Sequence, residues 1–346
     1  MDATPQSSPK RVNLALQGGG AHGAFVWGVL DALLEDARLE AEAISATSAG
    51  AMNAVVLAYG LAIGGVTAAR DKLHEFWSEV AQIERLFGFA WSPWDRWVQA
   101  LGLPPEYHPS HAVIHAVTHI LPPQVLNPLN INPLRNLLLK VVDFERLNGE
   151  PRSMHLFLNA TNVRTGKIAV FETPAITVDA VLASACLPPY FQAIEIDGEH
   201  YWDGGYLGNP ALYPLIYRGG SRDVIVVQVT PIKREELPHT AADVMRRINE
   251  ISFNSSLMRE MRAVAFATKL IDDGELDENK HSRMFIHWIG DDAMMARLDS
   301  STQFHPDWDL LCRLRDDGRA TARQWLAQNV DHIGRRSTID FAAMFL

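Results

Sequence analysis

Three stretches of the chain contain residues that could carry out nucleophilic chemistry. The first surrounds Ser48, which follows one apolar run and precedes another, with small residues on both sides. A strand that turns sharply into a helix lifts such a serine hydroxyl out of the fold, and the motif of this nucleophile elbow is G-x-S-x-G. Ala46 replaces the first glycine. The alternative for this stretch alone is a serine that caps an ordinary helix. The elbow comprises Ala46, Thr47, Ser48, Ala49 and Gly50.

The second stretch is a glycine loop that follows the apolar run at residues 12–16. Its residues are Gly18, Gly19, Gly20, Ala21, His22 and Gly23. The spacing satisfies G-x-G-x-x-G, which is typical of a dinucleotide-binding turn. That fold also needs an acidic residue at the end of the second strand, whereas Glu40 and Glu42 precede this strand. The alternative is an oxyanion hole, because glycine leaves backbone N–H groups free to approach a developing negative charge.

The third stretch is Asp203, followed at once by Gly204 and Gly205. It comes directly after a hairpin with an Asp197-Gly198 turn, which is a strong hairpin signal. A lone Asp-Gly-Gly is usually only a turn. As a base for Ser48, Asp203 needs burial to raise its pKa from the normal value near 4. We therefore expect a partly desolvated Asp203 within hydrogen-bond reach of Ser48.

A histidine base is the mechanistic alternative, because a Ser-His-Asp triad performs the same chemistry. None of the histidines that follow Asp203 stands in a distinctive motif, so each is expected to be an ordinary surface or core residue. These candidates are His239, His281, His287, His305 and His332.

Apolar runs and helical periodicity predict the elements that position these residues. Strands are expected at residues 12–16, 154–160, 167–171, 223–229 and 284–289, with helices at 66–80, 178–185 and 241–271. A helix with a weak point near Gly318 is expected over 306–329. Strands that alternate with helices, without an obvious linker, indicate one α/β domain at residues 11–346. Its part at about 238–346 is mostly helical.

Residues 83–130 are rich in aromatic residues and prolines, which predicts an insertion of short helices. Such an insertion is a candidate lid or membrane-facing cap, and a small hydrophobic cluster packed on the core is the alternative. Residues 1–10 are polar and predict a loose tail without a signal peptide. The uncharged run at residues 43–69 is long enough to span a membrane. Its serines, asparagine and glycines favour a buried strand and a buried helix instead.

Composition limits the function classes. The 346 residues carry a net charge of −10, which argues against a nucleic-acid partner and against general attraction to anionic lipid. The two cysteines form neither a disulfide framework nor a metal motif, so we expect a reducing, cytoplasmic location. No pattern for zinc or calcium occurs, and neither a metal nor a cofactor is expected.

Taken together and in this order, the glycine loop, the serine elbow and the Asp-Gly-Gly turn resemble the patatin-like phospholipase family. Residues 183–191, Ala-Ser-Ala-Cys-Leu-Pro-Pro-Tyr-Phe, and Asn209-Pro210 add to the resemblance, which spans residues 12–229. It implies a three-layer α/β/α sandwich with a central, mostly parallel sheet. It also implies a Ser48–Asp203 dyad, with the glycine loop lining the oxyanion hole. Ala46 departs from the family pattern, as does His22, which stands where the family often has Arg or Lys.

The sequence therefore predicts a serine acyl hydrolase that cleaves carboxylic esters of lipids. Two other hypotheses are a nucleotide-binding oxidoreductase that uses the glycine loop and a non-catalytic lipid-binding member of the same fold. The expected partner is a lipid or acyl-ester substrate. Peripheral membrane contact is expected through the aromatic insertion, and a homo-oligomer is compatible with the sequence.

Overall fold

The computed structural model describes residues 8–87, 121–149, 154–188, 190–278, 280–298, 300–303 and 305–345. The aromatic insertion predicted at 83–130 falls mostly on residues 88–120, which lie outside the described residues. Residues 1–7 of the predicted tail also lie outside them.

One eight-stranded sheet forms the centre of the described chain. Its strands are β1 (Lys10–Leu16), β2 (Leu39–Ala46), β3 (His155–Asn162), β4 (Ile168–Glu172), β5 (Ile194–Ile196), β6 (Glu199–Asp203), β7 (Asp223–Val227) and β8 (Phe285–Ile289). The order is β5-β6-β3-β2-β1-β7-β8, and β4 also pairs with β3. The run β3-β2-β1-β7-β8 is parallel, whereas β4 and β6 are antiparallel to β3. β7 is buried along its whole length, as is typical of a parallel strand covered on both faces.

Helices cover both faces of the sheet. They are α1 (Ala24–Asp36), α2 (Ala49–Phe87), α3 (Pro123–Leu126), α4 (Pro133–Val141), α5 (Phe144–Asn148), α6 (Val178–Ser184), α7 (Tyr213–Arg218), α8 (Ala241–Asp272), α9 (Asp292–Arg297), α10 (Trp308–Asn329) and α11 (Phe341–Phe345). Alternate residues of a strand point to opposite faces. Leu14 and Leu16 therefore join the core under α1, α2 and α10, whereas Ala15 joins the core under α7, α8 and α11. The predicted three-layer α/β/α fold is confirmed.

Helix α2 leads from the serine elbow into the core. Gly64 and Gly65 interrupt it with non-helical backbone angles, and Gly65 has a φ of 67°. Its stretch Ala49–Ile83 is the one helix in the described part of the chain that is long and apolar enough to span a membrane. Of its most apolar window, 61% is buried inside the protein. A core helix passes the same test of length and composition.

The predicted weak point in the last long helix is wrong, because α10 is continuous through Gly318. Gly318 faces the carbonyl oxygen of Phe25, and Gly28 faces the carbonyl oxygen of Arg315. The two glycines thus let α1 and α10 cross closely, each against the backbone of the other helix. Close packing compensates for the low helix propensity of glycine here.

Candidate active site

The turn between β2 and α2 holds Ser48 in a left-handed conformation, with a φ of 56°. Non-glycine residues rarely adopt this region, and such strained residues are frequent at functional sites. The backbone N–H of Ser48 donates to Ser184 Oγ at 2.9 Å, which ties the turn to the end of α6. Gly50 is required by packing, because a Cβ there would lie 2.5 Å from the carbonyl oxygen of Leu16. Ala46 is the last residue of β2 and is fully buried, so its methyl group fits the core.

The register of β3 places Asp203 beside this turn. β4 occupies one edge of β3 from Phe157 to Thr161, so β2 and β6 share the other edge. On that edge Ala46 of β2 pairs with Leu158, and Asp203 of β6 pairs with Ala160. Two residues of β3 correspond to about 7 Å. The end of β6 therefore meets the end of β2, where Ser48 follows.

Asp203 is buried, and its carboxylate accepts a hydrogen bond from the backbone N–H of Gly205 at Oδ1, at 2.7 Å. Burial raises the pKa of Asp203 from its ordinary value of 3.8 to about 7, because desolvation outweighs the opposing effects of the Gly205 N–H and the nearby Ser48 hydroxyl. A carboxylate with this pKa is a far better match for a base at neutral pH than an exposed aspartate.

The backbone of Asp203 is held from both sides. Its N–H donates to the carbonyl oxygen of Cys186 at 2.8 Å, and its carbonyl oxygen accepts from Thr161 Oγ1 at 2.8 Å. Gly204 follows against the backbone of Asn159. These contacts leave the carboxylate little freedom to turn away from Ser48.

The glycine loop lies directly against Ser48. A Cβ on Gly18 would lie 2.6 Å from the Cβ of Ser48 and 2.9 Å from the carbonyl oxygen of Thr47. Gly20 has a φ of 58°, which suits glycine. A 3₁₀ turn at Gly20–Gly23 leads from this point into α1. Among the hydrogen bonds of the described residues, none is donated by the N–H of Gly19 or Gly20.

The amide of Gly18 is already used, because it donates to Asn209 Oδ1 at 2.7 Å. Gln17 extends this contact into a buried network: its Nε2 donates to the carbonyl oxygen of Asn209 and to Asn254 Oδ1. Its Oε1 accepts from the N–H groups of Val229 and Thr230, both at 2.9 Å. Gln17 and Asn254 were missed in the sequence analysis, which treated Asn209 only as part of a motif.

The second half of the glycine loop is tied to two helical segments. His22 is buried, and its Nε2 forms a 2.7 Å hydrogen bond with Thr302 Oγ1, in the 3₁₀ turn Ser300–Gln303. The carbonyl oxygen of Gly23 accepts from Asn53 Nδ2 of α2 at 3.0 Å. Ala21 lies between these two contacts and is buried. The loop is therefore positioned by side chains that are distant in sequence.

Thr47 is fixed by a second buried asparagine. Its Oγ1 donates to the carbonyl oxygen of Gly208 at 2.6 Å, which joins the elbow to the turn after Asp203. Asn159 Nδ2 donates to Thr47 Oγ1, to the carbonyl oxygen of Ala46 and to Ser45 Oγ. The sequence offered no signal for Asn159 beyond its place in a predicted strand.

His287 has an aspartate partner elsewhere in the sheet. Its Nε2 contacts Asp223 Oδ1 at 2.9 Å, and Asp223 is the first residue of β7. This pair lies toward the amino ends of the parallel strands, whereas Ser48 follows the carboxyl end of β2. Within the described part of the chain, no hydrogen bond joins Ser48 to a histidine.

The family model for patatin-like phospholipases matches residues 14–216, more than half of the chain. The chain therefore belongs to the patatin-like phospholipase family. The matched region includes Ser48, Asp203 and the glycine loop. At the level of the family, the protein is a lipid acyl hydrolase.

Several solved structures resemble the chain at low sequence identity. VipD from Legionella pneumophila is 16% identical, with a TM-score of 0.41, over 92% of this chain and 67% of VipD. The type III effector ExoU is 15% identical, with a TM-score of 0.34, over 93% of this chain and 53% of ExoU. The ExoU-SpcU complex from Pseudomonas aeruginosa gives 17% identity and a TM-score of 0.33, over 98% of this chain and 75% of that one. In the ExoU match the chain spans about half of its relative, and no curated protein matches significantly.

Proposed function

We propose that the protein is a serine hydrolase that cleaves carboxylic ester bonds of lipids, with Ser48 as nucleophile and Asp203 as base. The observation that carries the proposal is the placement of the Ser48 hydroxyl near the buried Asp203 carboxylate, whose pKa it lowers, directly beside the glycine loop. Membership in the patatin-like phospholipase family supports a lipid as substrate.

The reaction begins when Asp203 accepts the hydroxyl proton of Ser48 as Oγ attacks the ester carbonyl carbon. The carbonyl oxygen becomes negatively charged in the tetrahedral intermediate. Backbone N–H groups without another partner are suited to stabilise that charge. We assign this role to Gly19 and Gly20, because the N–H of Gly18 donates to Asn209. Gly18 contributes by bringing the loop against Ser48 without a side chain.

The intermediate collapses when the C–O bond to the leaving alcohol breaks and the proton on Asp203 passes to that alcohol. The product is an acyl ester on Ser48. Asp203 then takes a proton from water, whose oxygen attacks the acyl carbon, and the Ser48 oxygen leaves with that proton. The fatty acid is released and both residues return to their initial state.

Two features favour this function over the nucleotide-binding alternative. The glycine loop is packed against Ser48, and a Cβ at Gly19 would lie 2.5 Å from Val229 Cγ1. Glu40 and Glu42, which were expected before β2, lie in its first half, whereas β2 ends at Ala46 and is followed by Thr47 and Ser48. The end of the strand therefore lacks the acidic residue that holds a ribose. The buried Asp203 beside Ser48 also favours catalysis over a purely lipid-binding role.

Ester hydrolysis by the purified chain and by Ser48→Ala tests the proposal. Assays with p-nitrophenyl butyrate, lysophosphatidylcholine and phosphatidylcholine vesicles assign the substrate class. We expect hydrolysis of at least one substrate, lowered at least about a thousandfold by Ser48→Ala. A folded chain that hydrolyses none of them but binds NAD or NADP tightly would favour the oxidoreductase.

A further inference from the structure

The amino-terminal part of α8 exposes apolar side chains along one face. Val244, Ile248 and Ile251 follow the spacing of a single helix face, and Met245 lies beside them. Their exposed fractions lie between 42% and 55%, and Leu237 in the preceding segment is 78% exposed. We call Leu237, Val244, Met245, Ile248 and Ile251 the apolar ridge. The opposite side of the helix, at Glu250, Asn254 and Leu257, is buried.

The apolar ridge lies at the active-site edge of the sheet. Leu257 and Met261 of α8 belong to the core on the sheet face, whereas Asn254 Nδ2 donates to the carbonyl oxygen of Pro231, beyond the end of β7. The part of α8 around Asn254 therefore lies beside the carboxyl ends of the parallel strands. Because a helix rises 1.5 Å per residue, Val244 lies about 15 Å further along its axis.

The same helix contacts the turn that holds the candidate base. The ring of Phe253 lies against Gly205, at 2.7 Å from the place where a Cβ would stand. Its centroid is 5.3 Å from that of Tyr206, which is partly exposed. α8 therefore contacts the turn at Asp203 through Phe253, two residues beyond the end of the apolar ridge.

Charges near the ridge balance each other. In residues 231–252 four cations (Lys233, Arg234, Arg246 and Arg247) face four acids (Glu235, Glu236, Asp243 and Glu250). Lys233 contacts Glu235 at 2.7 Å, Arg246 contacts Asp243 at 3.2 Å, and Arg234 and Arg247 both contact Glu250. The segment therefore offers an apolar ridge among paired charges that balance, without a basic patch, and the whole chain carries a net charge of −10.

We propose that the apolar ridge inserts into the headgroup–acyl boundary of a zwitterionic lipid bilayer and holds the active-site edge against it. The inference rests on the proposed lipid hydrolase function, because Ser48 acts on a lipid only if that edge reaches the membrane. Apolar side chains of an amphipathic helix insert to this depth at a membrane interface. Because the charges balance, the binding free energy comes from the burial of apolar side chains and not from electrostatic attraction.

Flotation with phosphatidylcholine vesicles tests the proposal, using the Ser48→Ala chain so that the vesicles stay intact. We expect this chain to float with the vesicles and the double substitution Ile248→Asp and Ile251→Asp to lower its partition coefficient at least about tenfold. Phe266→Asp is the matched control, because Phe266 is 64% exposed on the same helix, about 27 Å from Ile248 along the axis. This control should bind like its parent.

Three results would overturn the proposal. The first is a Ser48→Ala chain that fails to float with the vesicles, the second is a variant with Ile248→Asp and Ile251→Asp that floats like its parent, and the third is a Phe266→Asp control that loses as much binding as that double variant. Stronger binding when phosphatidylserine is added would show an electrostatic mechanism instead. Loss of a dimer in sedimentation, with flotation unchanged, would assign the ridge to a second copy of the chain.

The double substitution Ile248→Asp and Ile251→Asp, made in the chain that keeps Ser48, distinguishes membrane binding by the ridge from the proposed hydrolase function. We expect it to hydrolyse soluble p-nitrophenyl butyrate like the unmodified chain and to lose activity on vesicles. Equal loss on both substrates would contradict a role confined to membrane binding. If the unmodified chain hydrolyses no ester, the proposed function fails, and flotation still measures the ridge.

Discussion

Ser48, which follows β2, lies close to Asp203, the last residue of β6, because the ends of these two strands meet along one edge of β3. The turn holds Ser48 in a left-handed conformation, and Asp203 is almost free of solvent. A strained serine beside a desolvated carboxylate is costly for stability and useful for proton transfer. The predictions below test this pairing and its surroundings.

The pH dependence of hydrolysis should report the pKa of Asp203. Only the deprotonated carboxylate can accept the Ser48 proton, and burial raises its pKa to about 7. We expect kcat/KM for a soluble ester to rise about tenfold per pH unit below pH 7 and to level off above it. A profile that is flat between about pH 5 and about pH 8 would contradict an aspartate base in this environment.

Asp203→Asn should stabilise the fold more at high pH than at low pH. Below the ordinary pKa of 3.8 the carboxyl is neutral in the folded and unfolded states. Above it the unfolded chain ionises first, so the folded state loses stability until the pH passes about 7. The neutral asparagine avoids this loss. We expect its advantage in the free energy of unfolding to grow by about 3 kcal/mol between about pH 5 and about pH 8.

Urea denaturation at the two pH values measures this difference, with Ser48→Ala as the control because it keeps the carboxyl. If the advantage of Asp203→Asn is the same at both pH values, Asp203 does not have a raised pKa in the folded protein.

Asn209→Ala should lower kcat about ten- to a hundredfold while KM changes little, because it removes the acceptor that fixes the N–H of Gly18. Asn13→Ala is the matched control. Asn13 is equally buried and donates to the carbonyl oxygen of Ser221 at 2.9 Å, away from the site. Each substitution should cost about 1–3 kcal/mol of stability, but only the first should lower kcat. Equal kcat values would refute the positioning role of Asn209.

Ala46→Gly restores the strict elbow motif, yet we expect no gain in activity. The positive φ of the turn belongs to Ser48, and Ala46 is a buried strand residue whose methyl group is accommodated. The free energy of unfolding of the Ala46→Gly variant should fall by about 1–2 kcal/mol, because the substitution removes a buried methyl group and increases the entropy of the unfolded chain. Thermal unfolding and steady-state kinetics check both points. A severalfold increase in kcat would mean that Ala46 distorts the elbow.

Local patterns in the sequence predicted most of the sheet. The Asp197-Gly198 turn predicted its hairpin because both residues suit left-handed angles, and their φ values are 52° and 78°. Asn132 and Pro133 are a local signal of the same kind at the start of α4, where Asn132 Oδ1 accepts from the N–H of Leu134 at 3.1 Å. Such signals act within a few residues, so they can be read without knowing the fold.

Contacts between distant segments could not be predicted in the same way. Gln17, Asn159 and Asn254 each join strands or turns that are far apart in sequence, and an isolated amide side chain has no local signature. The continuity of α10 depends on the backbone of α1, which faces Gly318. The meeting of β2 and β6 depends on the register of β3. The residues of the proposed dyad and a desolvated Asp203 near Ser48 were therefore expected from motifs and chemistry, but the strand register that brings the two residues together was not.

Labelling with a fluorophosphonate probe, followed by mass spectrometry of the modified peptide, tests the central claim most directly. The unmodified chain, Ser48→Ala and Asp203→Asn are compared near pH 8, where the Asp203 carboxyl is deprotonated. We predict label on Ser48 in the unmodified chain and none in either variant. Label on Ser48 that persists in Asp203→Asn would contradict Asp203 as the base, and a folded chain that takes no label would contradict the serine hydrolase itself.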